Sequence, residues 1–151
     1  MSENAAAAGE VPQPGGHLPD SAIVVRGGHM ERGNLIDTAE ACRRRYGFPG
    51  LSVYSWPDAS VREIAFRVKA IRDRTGHPLL QHGDLRKSTA GRIRNAGSPD
   101  RHPFSLQKTG GEGHYTLRLP SPTTDEDWDL LDQTFDAPEL NPVGLKANFG
   151  A

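Results

Sequence analysis

Two spacings of apolar residues alternate along the chain and divide it into short strands and amphipathic helices. Ser21–Arg26 (SAIVVR) is rich in β-branched residues and is closed by Gly27-Gly28. This predicts a short buried strand followed by a break. Leu35, Ile36, Ala39 and Cys42 then recur at helical spacing, with Asn34 as a cap and Gly47 as a left-handed stop. A helix to about Tyr46 follows, with Arg43, Arg44 and Arg45 at the end of the macrodipole that favours cations. Leu51–Ser55 (LSVYS) alternates as a second strand and Pro57 ends it. Ser60 and Glu63 have capping-box spacing, and Val61, Ile64, Ala65, Val68 and Ile71 form the apolar stripe of a helix to about Arg74, stopped by Gly76.

The second half follows the same logic. Leu79–Gln81 reads as a short extended piece, and Asp84 to Ala96 as a third helix weakened by Gly91 and closed by Gly97. Phe104–Lys108 and Tyr115–Leu119 alternate around Gly110-Gly111-Glu112-Gly113, the pattern of a hairpin with a flexible tip. Thr124 and Asp127 cap a last helix, Asp125–Phe135, that carries Trp128, Leu131 and Phe135. The expected order is β-α-β-α-(β)-α-β-β-α. It implies an α+β domain over residues 21–136, with a mixed or antiparallel sheet of about four to five strands and helices mainly on one face. Residues 1–20 hold scarcely a large apolar side chain and are expected to be disordered. Residues 137–151 read as a Pro-containing tail, disordered or lying across the surface.

Composition narrows the class. A length of 151 residues suits one domain, and the single cysteine, Cys42, excludes an internal disulfide and a cysteine-rich zinc site. There is no apolar run of about 18 residues and no signal-peptide core, so a cytoplasmic protein without a membrane span is expected. Charge is unevenly spread. His17 to Pro122 holds 17 Lys/Arg against 10 Asp/Glu, whereas Thr123 to Ala151 holds 7 acids and 1 base. Three readings follow: a basic body that binds a polyanion, an acidic end folded back over that body, or solvated charge on helix faces. The acids Asp125, Glu126 and Asp127 have a local explanation as the first turn of a helix.

No motif names a reaction. The chain lacks a phosphate-binding glycine loop with Lys-Ser/Thr, a dinucleotide fingerprint and a paired-histidine helix, so neither metal nor cofactor is expected. What remains is a short set of polar residues on predicted strands and helix starts. Arg26 closes a strand that otherwise reads as core. It needs either a carboxylate such as Asp37 or Asp58, or an anionic ligand. His114-Tyr115 opens the last strand. His114 suits proton transfer, or stands in solvent, and Tyr115 stacks a base or packs on the sheet. Arg86, Lys87, Ser88 and Thr89 lie at an expected helix start, where free amides would help to hold a phosphate; an exposed helix face explains them equally well. Ser52 and Ser55, at a strand end, are candidate hydroxyl contacts, with no histidine or acid placed by sequence to activate them.

If the sheet gathers them, Arg26, Arg86, Lys87 and His114 supply the ingredients of metal-independent RNA cleavage, with one group taking the 2′-hydroxyl proton, one donating to the leaving oxygen and cations holding the phosphorane. The same inventory fits an NAD-dependent ADP-ribosyl transfer site, for which Glu63 and Glu112 are the available glutamates. A non-catalytic accessory protein that binds RNA or another protein is the third reading.

The segments VVRGG, YGFPGLSVYS, LRKSTAGRIRNAG and GHYTLRLP resemble those of a group of small actinobacterial proteins without an established activity, often encoded in mobile or phage-derived regions. The resemblance spans Ile23 to Leu119 and carries no catalytic residue over. It implies that Arg26, Gly27, Gly28, Arg86 and His114-Tyr115 belong together, and that the role is that of a toxin, defence or accessory protein.

Overall fold

The computed structural model describes residues 18–145. Six strands and four helices alternate along them: β1 (Ile23–Gly27), α1 (Arg32–Tyr46), β2 (Gly50–Tyr54), α2 (Val61–Thr75), β3 (Asp84–Thr89), α3 (Ala90–Asn95), β4 (Ser105–Lys108), β5 (His114–Arg118), α4 (Asp125–Thr134) and β6 (Glu139–Leu140). The strands form one antiparallel sheet in the order β4-β5-β2-β1-β3-β6. The chain is an α+β domain. Most of the expected disordered stretch 1–20 lies outside the described residues. Its last three residues are held: Leu18 is buried in the core, and Asp20 accepts from the Gly91 amide and pairs with Arg94.

Local signals account for most of the elements. Both capping boxes form, at Ser60/Glu63 and at Thr124/Asp127, and Gly47 and Gly76 take the left-handed conformation that ends α1 and α2. α1 starts two residues before the expected cap Asn34, whose side chain instead donates to Glu31. Successive strand residues divide between two apolar clusters, as the pleat requires. Val24, Leu51, Val53 and Leu117 join Leu35 and Ala39 of α1, Ile93 of α3 and Trp128 and Leu131 of α4. Val25, Tyr54 and Leu85 pack on Ile64, Ala65 and Val68 of α2. Helices thus cover both faces, and three of the four contribute to the same cluster.

The segment from Asp84 departs from expectation. It is strand β3 through Thr89, and only Ala90–Asn95 is helical. The reason is tertiary. β1 shares a single register pair with β2, Val25↔Tyr54, so its ladder is completed on the other edge, where β3 pairs with it from Ile23↔Thr89 to Gly27↔Leu85. The polar side chains that look solvent-facing in a helix are consumed by neighbours. The Arg86 guanidinium is buried and donates to Asp132 Oδ1 and to the carbonyls of His29, Asp132, Phe135 and Asp136. Ser88 Oγ donates to the Thr134 carbonyl at 2.7 Å. The tail contributes β6, and the buried Asn141 side chain donates to the Leu80 and His82 carbonyls. Leu79–Gln81, expected to be extended, is irregular, with Leu80 at φ 50°.

The acidic end folds back over the basic body. Asp127, Asp129, Asp132, Asp136 and Glu139 pair with Arg101, Arg32, Arg86, Arg92 and Lys87 respectively. Exposed pairs of this kind contribute little each, but Arg86 is different because it caps the C-terminal carbonyls of α4 from a buried position. Replacing Arg86 with Ala strands several of those carbonyls away from water and is expected to cost about 3 kcal/mol or more. Lys87→Ala, at a part-exposed pair, is expected to cost about 1 kcal/mol or less. Denaturant unfolding of the two variants checks this, and equal losses would show that Arg86 does not clamp α4.

Candidate functional site

The site begins where β1 and β2 part. Beyond Val25↔Tyr54 the two strands exchange no further register pair, and the Arg26 guanidinium enters the gap, with Nη1 donating to the Ser52 carbonyl at 2.7 Å. Arg26 Nε is buried and has no hydrogen-bond partner among the described residues. Neither Asp37 nor Asp58 pairs with it. Burial pulls the Arg26 pKa below its ordinary value, partly opposed by Tyr54; burial likewise raises the Tyr54 phenol, partly opposed by Arg26. Tyr54 is therefore a neutral phenol standing near a guanidinium.

On the other edge of β2 the register places Ser52 opposite Thr116 and Tyr54 opposite His114. The diagonal from Ser52 to His114 is closed by a hydrogen bond, Ser52 Oγ to His114 Nε2 at 3.0 Å. His114 Nδ1 lies 3.1 Å from the Thr109 carbonyl and 3.0 Å from Thr109 Oγ1. A carbonyl only accepts, so Nδ1 carries the proton, Nε2 is the acceptor, and the Ser52 hydroxyl donates to it. Burial holds the His114 pKa below 6.5, the nearby Lys108 lowers it further, and the Thr109 carbonyl partly offsets both. His114 is neutral at pH 7. It has the hydroxyl, imidazole and orienting group of an activated oxygen nucleophile or a general base.

Local structure holds this histidine in place. Trp56 packs on Gly113, where a Cβ would lie 2.2 Å from the indole, and the Ser55 amide donates to the Gly113 carbonyl at 3.0 Å. Gly113 has φ 73°, a conformation that favours glycine. The hairpin tip is thereby pinned against β2, and His114 follows directly.

A cavity of about 800 Å³ opens in front of Ser52 and His114, walled by Thr38, Cys42 and Arg45 of α1 and by Lys108 of β4. Its floor is tight, since a Cβ on Gly50 would meet Thr116 at 2.5 Å and Cys42 at 3.3 Å. No carboxylate lines it among the described residues. Lys108 Nζ donates to the Gly111 carbonyl at 2.6 Å, and burial lowers its pKa. Arg26 lines a second cavity of about 630 Å³ on the other side of Thr38, which His29 and Asp84 border as a 2.6 Å pair. No cluster of metal-ligating side chains occurs among the described residues.

The sequence-predicted residues thus separate. Arg26 and His114 converge on Ser52, one through its carbonyl and one through its hydroxyl. Arg86 is the register partner of Arg26, yet its guanidinium turns to α4. Lys87 pairs with Glu139, Ser88 is buried, and Thr89 caps α3 by accepting from the Arg92 amide. Tyr115 is a core residue with Lys108 5.6 Å from its ring centroid. The cavity wall contains neither candidate glutamate: Glu63 serves its capping box and Glu112 sits on the hairpin tip. Sequence reasoning missed Tyr54, Thr109, Lys108 and Arg45. Alternation placed Ser52 and Tyr54 on one face, but only the strand register brings them to His114.

These contacts predict the state of His114. Nitrogen NMR should find the Nδ1–H tautomer and a titration below pH 6.5. An Nε2–H tautomer would contradict the Ser52 contact. Because the folded value lies below the unfolded one, the unfolded chain takes the proton first. The stability owed to neutral His114 is therefore complete above about pH 6.5 and declines as pH falls from there toward the folded value. A scan against protein-family models finds no match to this chain, and neither do searches of curated proteins and of solved structures.

Proposed function

We propose that the cavity between α1 and the β2–β5 strands binds a polyanion. The observation that carries this reading is a cavity wall that holds two cations and no carboxylate among the described residues. The acids of the C-terminal segment and Glu40 engage Arg32, Arg43, Arg44, Arg86, Arg92 and Arg101, whereas Arg45 and Lys108, on the cavity wall, have no carboxylate partner among the described residues. A wall with cations and no acid favours an anionic ligand and disfavours a cationic one. Fluorescence anisotropy with a labelled single-stranded oligodeoxynucleotide tests it. Log K should fall linearly with log salt, and Arg45→Gln or Lys108→Gln should each reduce the slope by about 0.7. Absence of binding at low salt, or a salt-independent affinity, would reject the proposal.

A second reading, metal-independent RNA cleavage, is favoured by the hydrogen bond from Ser52 to His114. A hydroxyl already donates to the unprotonated Nε2, and a ribose 2′-hydroxyl would take its place in the complex. His114 would accept that proton as the 2′-oxygen attacks the adjacent phosphorus. The P–O5′ bond breaks and the leaving oxygen takes a proton, leaving a 2′,3′-cyclic phosphate and a 5′-hydroxyl. Lys108 is the protonated group available in the same cavity. Incubation of total RNA with the protein in EDTA should yield those ends. His114→Ala should slow cleavage by about 10²–10⁴-fold, and the rate should fall as pH drops and His114 becomes protonated. Ser52→Ala should remain active, since the serine is displaced. Cleavage by His114→Ala at the native rate would sink this reading.

A further inference from the structure

Resting on the polyanion reading, we infer that the ligand is a single-stranded nucleic acid and that the Tyr46–Phe48 pair stacks its bases. Gly47 ends α1 at φ 90°, with its amide donating to the Arg43 carbonyl, and this left-handed turn brings the rings on either side of it together. Their centroids lie 6.4 Å apart, with the planes tilted by 30°. Tyr46 is 60% exposed, more than any other Phe, Tyr or Trp among the described residues. Each ring already carries an arginine: Arg45 stands 5.2 Å from the Tyr46 centroid, and Arg118 stands 4.4 Å from that of Phe48.

The pair lies between two cavities. Phe48 borders the Ser52–His114 cavity on one side and, on the other, a cavity of about 420 Å³ that also contains His102 and Arg118. Neither cavity has a carboxylate on its wall among the described residues. The order is therefore basic cavity, aromatic pair, basic cavity. Phosphates occupy the cavities and bases lie on the rings, the arrangement by which single strands are held without base-edge readout. A duplex keeps its bases stacked inside and offers nothing to these rings. A simple polyphosphate makes the ionic contacts alone.

Anisotropy with an oligodeoxyadenylate, an abasic oligonucleotide of the same length and inorganic polyphosphate tests this; deoxy strands lack the 2′-hydroxyl and survive any cleavage. The oligodeoxyadenylate should bind about ten-fold tighter than the abasic strand. Tyr46→Ala should weaken only the former, by about 5- to 10-fold. Phe48→Leu, which keeps an apolar side chain at a half-buried position, should act in the same direction. Equal binding of the adenylate and abasic strands, or an unchanged preference in Tyr46→Ala, would overturn the stacking inference while leaving the polyanion reading in place. If none of the three probes binds at low salt, the polyanion reading falls and this inference falls with it.

Discussion

The buried guanidinium of Arg86 is the constraint on which the arrangement of this domain depends. It projects from β3, next to the central strand, and gathers the last carbonyls of α4, the Asp136 carbonyl and the His29 carbonyl of the β1–α1 connection. A cation at a helix C-terminus is favoured by the dipole. Here it also satisfies backbone oxygens that would otherwise be buried without donors. Its one carboxylate partner, Asp132, is largely exposed, so the clamp is chiefly a cation-to-carbonyl device. Arg86 faces Arg26 across the β1–β3 ladder, an unfavourable juxtaposition of like charges. The conflict is relieved because the two guanidinium groups bond in different directions, one to α4 and one to β2.

That division sets the electrostatics of the whole molecule. With α4 docked, the acidic C-terminal segment is applied to one part of the basic body, and its pairs reach from Arg32 to Arg101. Cations elsewhere are left without acids. Arg45, Lys108 and Arg118 belong to this second group among the described residues, and they surround the His114 cavity and the aromatic turn beside it. The near-zero net charge of the chain therefore hides a local excess of positive charge. Arg62, Arg67 and Arg74 of α2 likewise have no carboxylate partner among the described residues, so what distinguishes the cavity is a wall that carries cations and no acid.

His114 is placed by a continuous β2–β5 ladder and by the hairpin turn before it, while Arg26 is placed by a break in the pairing. β1 and β2 separate after one pair, which admits the Arg26 side chain behind Ser52. The Gly113 turn, held under Trp56, aims the imidazole back across β2. His114 itself lies in a regular ladder, opposite Tyr54, and it is the β1–β2 separation that departs from regular pairing. Such departures from regular pairing are how sheets re-aim functional side chains.

Much of the framework was legible from the order of residues alone. The capping boxes, the left-handed glycines that stop α1 and α2, the hairpin around Gly110–Gly113 and the α+β class all rest on local physics: hydrogen bonds within a turn, glycine's access to positive φ, and the period of apolar side chains. Arg26 and His114 were also visible as polar groups on strands. What only the tertiary structure decided is where the remaining polar groups go. Asp84–Thr89 resembles a charged helix start because its partners, the end of α4 and the tail at Glu139, lie roughly fifty residues away in the chain, beyond the reach of any local pattern. The Ser52–His114 contact crosses two strands whose register no periodicity specifies. Local sequence determines most of the elements; non-local pairing turned Asp84–Thr89 into a strand and determines which polar side chains are consumed as structure, because a buried donor or acceptor must be satisfied by whatever the fold brings to it.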